Sequence, residues 1–285
     1  MAQYDTLVIA GGSTRGIAAL GAIHYIWEKN KILPLYLKHY AGTSSGAIIA
    51  YLLCIGYTPI ELITHIVSSN FLQKMQYYNV MNLIENRGVL NWSWIQEQLE
   101  NLTIAKTGRF LTLGDVENFG RTLTCVTYNE TKNCTEYLSN TTHPELPCLT
   151  ALRMSCAVPI LFDRFMYNHN TYIDGAFGDN FPIEHMAGEE RTCEHVLGIN
   201  FIDIPRNEHN NVLGYMYYLF MIPIEQQVQA QIDKIKAGGA SSPADKFTIL
   251  NINASDIRSF NFDLTIQQKV EIFSQGYKEA KKFYS

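Results

Sequence analysis

The chain has 285 residues, 47% hydrophobic and 17% charged, with a formal net charge of −5. That much apolar material builds a sizeable core and excludes wholesale disorder. The acidic balance argues against a protein whose main task is gripping nucleic-acid backbone, which takes an excess of Lys and Arg.

The first residues, MAQYDTLVIAGG, lack the basic stretch and apolar centre of a secretory signal. The longest apolar run, 212–224, is interrupted by Gly214 and ends near Pro223. It is short of the ~20 residues a membrane-spanning helix needs. A soluble, cytoplasmic chain is expected. Cys54, Cys125, Cys134, Cys148, Cys156 and Cys193 form no C-x-x-C pair and no tight cluster with histidine. Reduced thiols and no zinc site follow.

In chain order, residues 6–10 (TLVIA) form an apolar run stopped by Gly11 and Gly12, which predicts a buried strand. Residues 17–27 carry apolar side chains at helical spacing. A second strand is expected at 37–41, running into the glycine motif 42–46 and an apolar helix over 47–54. Thr58, Pro59 and Glu61 have the spacing of a capping box, with Pro at the first helical position. Strands are predicted at 121–127, 136–138, 171–173, 195–202 and 247–252. A short helix is expected at 149–155 and an amphipathic closing helix at 265–283. Strands alternating with helices indicate an α/β fold around a mostly parallel sheet. One domain over 1–285 is expected.

Three segments carry chemistry. Gly42-Thr43-Ser44-Ser45-Gly46 is a G-x-S-x-G. Such a motif turns a strand sharply into a helix and holds the serine in a strained conformation at the tip, near the positive end of the helix dipole. Its other reading is a plain glycine turn at a helix start. Gly11-Gly12-Ser13-Thr14-Arg15-Gly16 matches neither the dinucleotide nor the P-loop pattern. It reads as a nest of backbone N–H groups able to hold an oxyanion, or as a tight turn without chemistry. Asp174-Gly175-Ala176 is either a capped turn or, paired with a serine, a general base.

Together the three resemble the patatin-like phospholipase family, in the family's order. GGSTRG at 11–16 resembles its oxyanion motif, GTSSG at 42–46 its nucleophile elbow, and DGAFGDNFP at 174–182 its Asp-Gly segment. The stretch 151–162, with Ser155, Pro159 and Phe162, and the C-terminal run 262–283 are also similar to the family. The resemblance implies a three-layer α/β/α fold and a lipid acyl hydrolase working through a Ser–Asp dyad, with Ser44 as nucleophile and Asp174 as base. It places the oxyanion hole at Gly11, Gly12 and Ser13, supported by Arg15, Gly16, Gly42, Gly46 and Gly175. Ser13 stands where the family usually has a third glycine, which raises the question of its backbone angle.

The resemblance further implies no cofactor or metal, a lipid or phospholipid substrate, and transient contact with membranes or lipid droplets. No calcium loop or zinc helix motif is present, and a cluster of Asp163, Asp174 and Asp179 is the competing metal reading. Two functional alternatives stand beside the dyad. One is a Ser-Asp-His triad drawing on His185, His195 or His209. The other is a catalytically weak domain that binds membranes or proteins. The aromatic run 215–220 suits either a membrane contact or a buried core helix.

Overall fold

The computed structural model describes residues 4–30, 34–69, 88–186, 195–202, 212–237, 246–257 and 262–285. Cys193 and His209 lie outside them. The eight strands are β1 Thr6–Ile9, β2 His39–Thr43, β3 Thr122–Asn129, β4 Cys134–Ser139, β5 Phe165–Tyr167, β6 Asn170–Asp174, β7 Val196–Ile202 and β8 Phe247–Asn253. They form one sheet in the order β5-β6-β3-β2-β1-β7-β8, with β4 paired to β3. The stretch β3-β2-β1-β7-β8 is parallel throughout. Strands β4, β6 and β5 add antiparallel pairs. Helices α1 Gly16–Glu28, α2 Ser45–Cys54, α3 Pro59–Ser68, α4 Ser93–Thr107, α5 Cys148–Ser155, α6 Ile183–Met186, α7 Val212–Ala237 and α8 Ile266–Phe283 flank it.

The central strand β1 has no apolar–polar alternation because both of its faces are covered: Leu7, Val8 and Ile9 are each at most 1% exposed. Helix α1 is apolar on nearly every side and correspondingly buried. The capping box of α3 forms as the sequence predicts. Thr58 Oγ1 accepts the Glu61 N–H at 3.2 Å, and Glu61 Oε2 accepts the Thr58 N–H at 2.7 Å.

At three places the structure departs from or adds to the sequence reading. Strand β2 starts later than 37 and runs into the glycine motif, because Gly42 is a ladder residue between Ile9 and Cys125. Helix α4 had no clear signal: it buries only Ile95, Leu99 and Thr103. The apolar run at 212–224 is the first part of a longer helix, because α7 passes through Pro223. Met221, Ile224, Val228 and Ile232 form a buried stripe across it. Burial of that stripe outweighs the backbone bond the proline removes, about 3 kcal/mol.

Among the described residues, α1 makes its most extensive helix contact with α8. A Cβ on Gly21 would sit 1.8 Å from the Phe273 carbonyl oxygen, and one on Gly276 1.8 Å from that of Ala18. Each glycine thus lets backbone meet backbone where no side chain fits. Gly276→Val should force the helices apart and lower the unfolding free energy by about 2–3 kcal/mol, measurable by urea titration.

Candidate active site

Strand β3 positions the site through one edge. Along it β2 pairs Thr43 with Val126, and β6 pairs Asp174 with the next residue, Thr127. Strand β4 occupies the opposite edge from Thr124 to Asn129. So β2 and β6 approach head-on along the same edge of β3, and their C-terminal ends meet. Ser44 follows one end and Asp174 is the other.

Ser44 turns the chain from β2 into α2 with φ 54° and ψ −127°, a conformation non-glycine residues rarely adopt. Its N–H donates to Ser155 Oγ at 3.0 Å, and its carbonyl accepts the N–H groups of Ala47 and Ile48. The serine therefore stands at the N-terminus of an apolar helix, where the dipole favours negative charge. The turn depends on close backbone. A Cβ on Gly46 would meet the Ile9 carbonyl oxygen at 2.3 Å, and one on Gly175 that of Val126 at 2.2 Å. Gly42 packs against the Gly46 backbone and Gly16 against Ile49.

Asp174 is 1% exposed. Its Oδ1 accepts the Ala176 N–H at 2.9 Å. Burial raises its pKa to about 6, against the lowering effects of the Ala176 N–H and the Ser44 hydroxyl. The Ser44 hydroxyl is thus near enough to influence the carboxylate, though Oδ2 has no hydrogen-bond partner.

The glycine loop packs beside Ser44. The Gly11 N–H donates to the Asn180 carbonyl at 3.1 Å, while Asn180 Nδ2 donates to the Gly11 carbonyl at 3.2 Å. Gly11 is therefore a brace, its N–H committed within the fold rather than offered to a ligand. The Gly12 N–H donates to Ser45 Oγ at 3.1 Å, a hydroxyl that can rotate away. Ser13 has φ 53°, so the position where the family prefers glycine keeps the left-handed backbone with a serine. Arg15 is wholly buried.

A cavity of about 20 Å³ lies between Gly11, Gly12, Ser13, Ser44 and Asp174, with Phe220 and Met221 of α7 against it. A second cavity, about 160 Å³ and apolar, also reaches Ser44. A cleft of about 610 Å³ with mixed polar and apolar walls runs under α7 and shares Gly11, Asn180 and Met221 with the first. The sequence left Phe220 and Met221 unassigned to the site, because their place depends on how α7 crosses it. Cys156, noted in sequence only as a thiol, lies beside Ser44; burial pushes it well above the usual thiol range, so it stays protonated.

Two of the histidines named as triad candidates, His185 and His195, are placed elsewhere, and His209 lies outside the described residues. His195 precedes β7, whose first residue pairs with Thr6, so it sits at the opposite end of the parallel sheet from Ser44. His185 stacks on Tyr137 with ring centroids 3.5 Å apart. The three aspartates do not converge: Asp163 Oδ1 accepts the Gly88 N–H and Asp179 accepts from Tyr137 and Phe181. Among the described residues no group of three or more His, Cys, Asp or Glu side chains is placed to hold a metal ion.

The chain is similar to several known proteins. The probable lipid hydrolase 463L of Invertebrate iridescent virus 6 is 32% identical over 194 residues, 64% of this chain and 62% of that protein. The uncharacterized protein R571 of Acanthamoeba polyphaga mimivirus is 27% identical over 290 residues, covering 98% of this chain and 93% of the relative. In fold the chain is similar to VipD from Legionella pneumophila, with a TM-score of 0.57 at 18% identity. It is also similar to the heterodimeric ExoU–SpcU complex of Pseudomonas aeruginosa, with a TM-score of 0.51 at 16% identity. These matches cover 99% of this chain but only 66% and 52% of the solved chains. The family model for patatin-like phospholipase matches residues 7–187, a segment holding the glycine loop, Ser44 and Asp174. The chain belongs to the patatin-like phospholipase family.

Proposed function

We propose that the chain is a serine lipid acyl hydrolase that cleaves acyl esters of phospholipids or related lipids through a Ser44–Asp174 dyad. The observation that carries this reading is the meeting of the strained Ser44 with the buried Asp174 carboxylate beside an apolar cavity. The Ser44 hydroxyl attacks the acyl carbonyl carbon while Asp174 takes its proton. The resulting oxyanion is held by the Ser13 N–H, by the Gly12 N–H once Ser45 Oγ turns aside, and by the N-terminus of α2. Collapse expels the alcohol, which leaves with the proton from Asp174. Water then attacks the acyl-serine, Asp174 again accepting the proton and returning it to Ser44. No step calls for a cofactor.

The 20 Å³ cavity at the dyad holds about one water, so a lipid ester must displace Phe220 and Met221. The outer side of α7 near this point exposes Tyr215 and Leu219, each nearly half accessible. An aromatic and a leucine there suit transient contact with a lipid surface. No helix among the described residues is long and apolar enough to cross a membrane.

A fluorophosphonate probe should label the wild type and not Ser44→Ala; equal labelling would remove Ser44 from its role. Asp174→Asn should lower kcat/KM by on the order of 10²-fold. Because Asp174 must be ionised to act, wild-type kcat/KM should fall as pH drops through about 6. The stability effect runs the other way. The folded protein keeps a proton on Asp174 that the unfolded chain releases above its ordinary pKa, about 4. Stability therefore declines as pH rises from about 4 to about 6 and stays reduced above that. At pH 8, Asp174→Asn should be nearly inactive yet more stable than wild type, by on the order of 1–3 kcal/mol in urea unfolding.

A side chain on Gly12 would press on the Phe201 ring, 2.6 Å from the new Cβ. Gly12→Val should cost about 3 kcal/mol of transition-state stabilisation in steady-state kinetics, more than it costs in unfolding free energy. Near-normal turnover would place the oxyanion elsewhere. Activity on detergent-dispersed phospholipid should survive EDTA; loss restored by calcium but not by more detergent would contradict the dyad.

A further inference from the structure

The apolar cavity at Ser44 follows the first turns of two helices. Ile17 and Leu20 of α1 and Ile48 and Ile49 of α2 line it, leading away from Ser13 and Ser44. At 1.5 Å of rise per helical residue, those residues lie within roughly 6 Å of the helix starts. Trp92 and Phe162 contribute to the remaining wall. They are 8% and 6% exposed and pack edge to face, with ring centroids 5.4 Å apart.

This wall is braced from behind. The buried Arg153 guanidinium lies 5.0 Å from the Trp92 ring centre and 5.8 Å from that of Phe162. It also donates to the Asp163 carbonyl at 2.7 Å. The two chain segments are laced together by Val89 N–H to the Ile160 carbonyl and Leu90 N–H to the Leu161 carbonyl, at 3.0 and 2.8 Å. The Gly88 N–H reaches Asp163 Oδ1 at 2.6 Å. Moving either ring disturbs several of these contacts together, so the wall resists widening.

Resting on the reading of Ser44 as nucleophile, we infer that this cavity receives the first carbons of the acyl chain and that the Trp92–Phe162 wall sets the length, about six carbons, beyond which the enzyme gains nothing from a longer acyl group. The cavity volume is about 160 Å³. An apolar protein cavity of about 150 Å³ accommodates a six-carbon ring. An acyl chain of about six carbons therefore fills the space, and further methylenes gain no burial there. Each methylene buried adds roughly fourfold to affinity for the transition state, which makes the limit visible in kinetics.

The test is kcat/KM on monomeric p-nitrophenyl esters from acetate to dodecanoate, for wild type and two variants that act in opposite directions. Wild type should gain roughly fourfold per methylene up to about six carbons and then level off. Trp92→Ala opens the wall and should move the break to longer chains. Ile48→Phe fills the cavity and should move it to shorter ones, an arm that survives if Trp92→Ala does not fold. A wild-type profile that climbs steadily to dodecanoate, or a break unmoved in a folded variant, overturns the inference while leaving Ser44 in place. Ester hydrolysis undiminished in Ser44→Ala, or absent at every chain length, overturns the nucleophile reading and this inference with it.

Discussion

The site depends on the shared edge of β3. A strand offers one hydrogen-bonding partner per residue on each edge, so β2 must stop where β6 begins. The register places Thr43 opposite Val126 and Asp174 opposite Thr127. Ser44 and Asp174 are separated by 129 intervening residues in the chain, yet Thr43, just before Ser44, and Asp174 pair with adjacent residues of β3. A ladder is stiff, which supplies the positional accuracy that proton transfer between two side chains needs. The glycines at 46 and 175 follow from the same geometry, because two chain ends meeting head-on leave no room for Cβ atoms beside the neighbouring carbonyls.

This arrangement costs stability. Ser44 and Ser13 both hold positive φ, at on the order of 1–3 kcal/mol each for residues with a Cβ. Asp174 is buried with one aligned hydrogen bond on one oxygen, and burial dominates its raised pKa. The surrounding structure over-determines the strain. Ser155 and the first turn of α2 grip the Ser44 backbone, and Asn180 clamps Gly11 from two directions. The thiol of Cys156 adds a protonated, weakly polar neighbour in place of a second charge.

Helix α7 divides at Pro223. Beyond it, Val228 and Ile232 join the main core, and Gln227 and Lys234 are tied to Gly178 and Glu184. Before it, Phe220 and Met221 rest on a small cluster with Ala176 and Ile224, apart from the main core, and Phe220 packs on Phe177. Phe220 and Met221, which line the cavity at Ser44 and Asp174, thus belong to a cluster separate from the main core.

Short-range physics made much of the molecule legible in its sequence. Apolar runs stopped by glycine marked β1 and the approach to the elbow, Thr58 and Glu61 marked the start of α3, and the small residues at 42–46 marked the sharp turn at Ser44. Each of these depends on residues within a few positions of one another. Tertiary structure decided what depends on partners far along the chain. It committed the Gly11 N–H to Asn180, carried α7 through Pro223, and moved His195 to the far end of the sheet. It also set Trp92 against Phe162 beside Ser44. Hydrophobic periodicity reports which face of an element is buried but not what covers it. Cavity volume and hydrogen-bond commitment are properties of the covering, so they appear only once the strands are in register and the helices are packed.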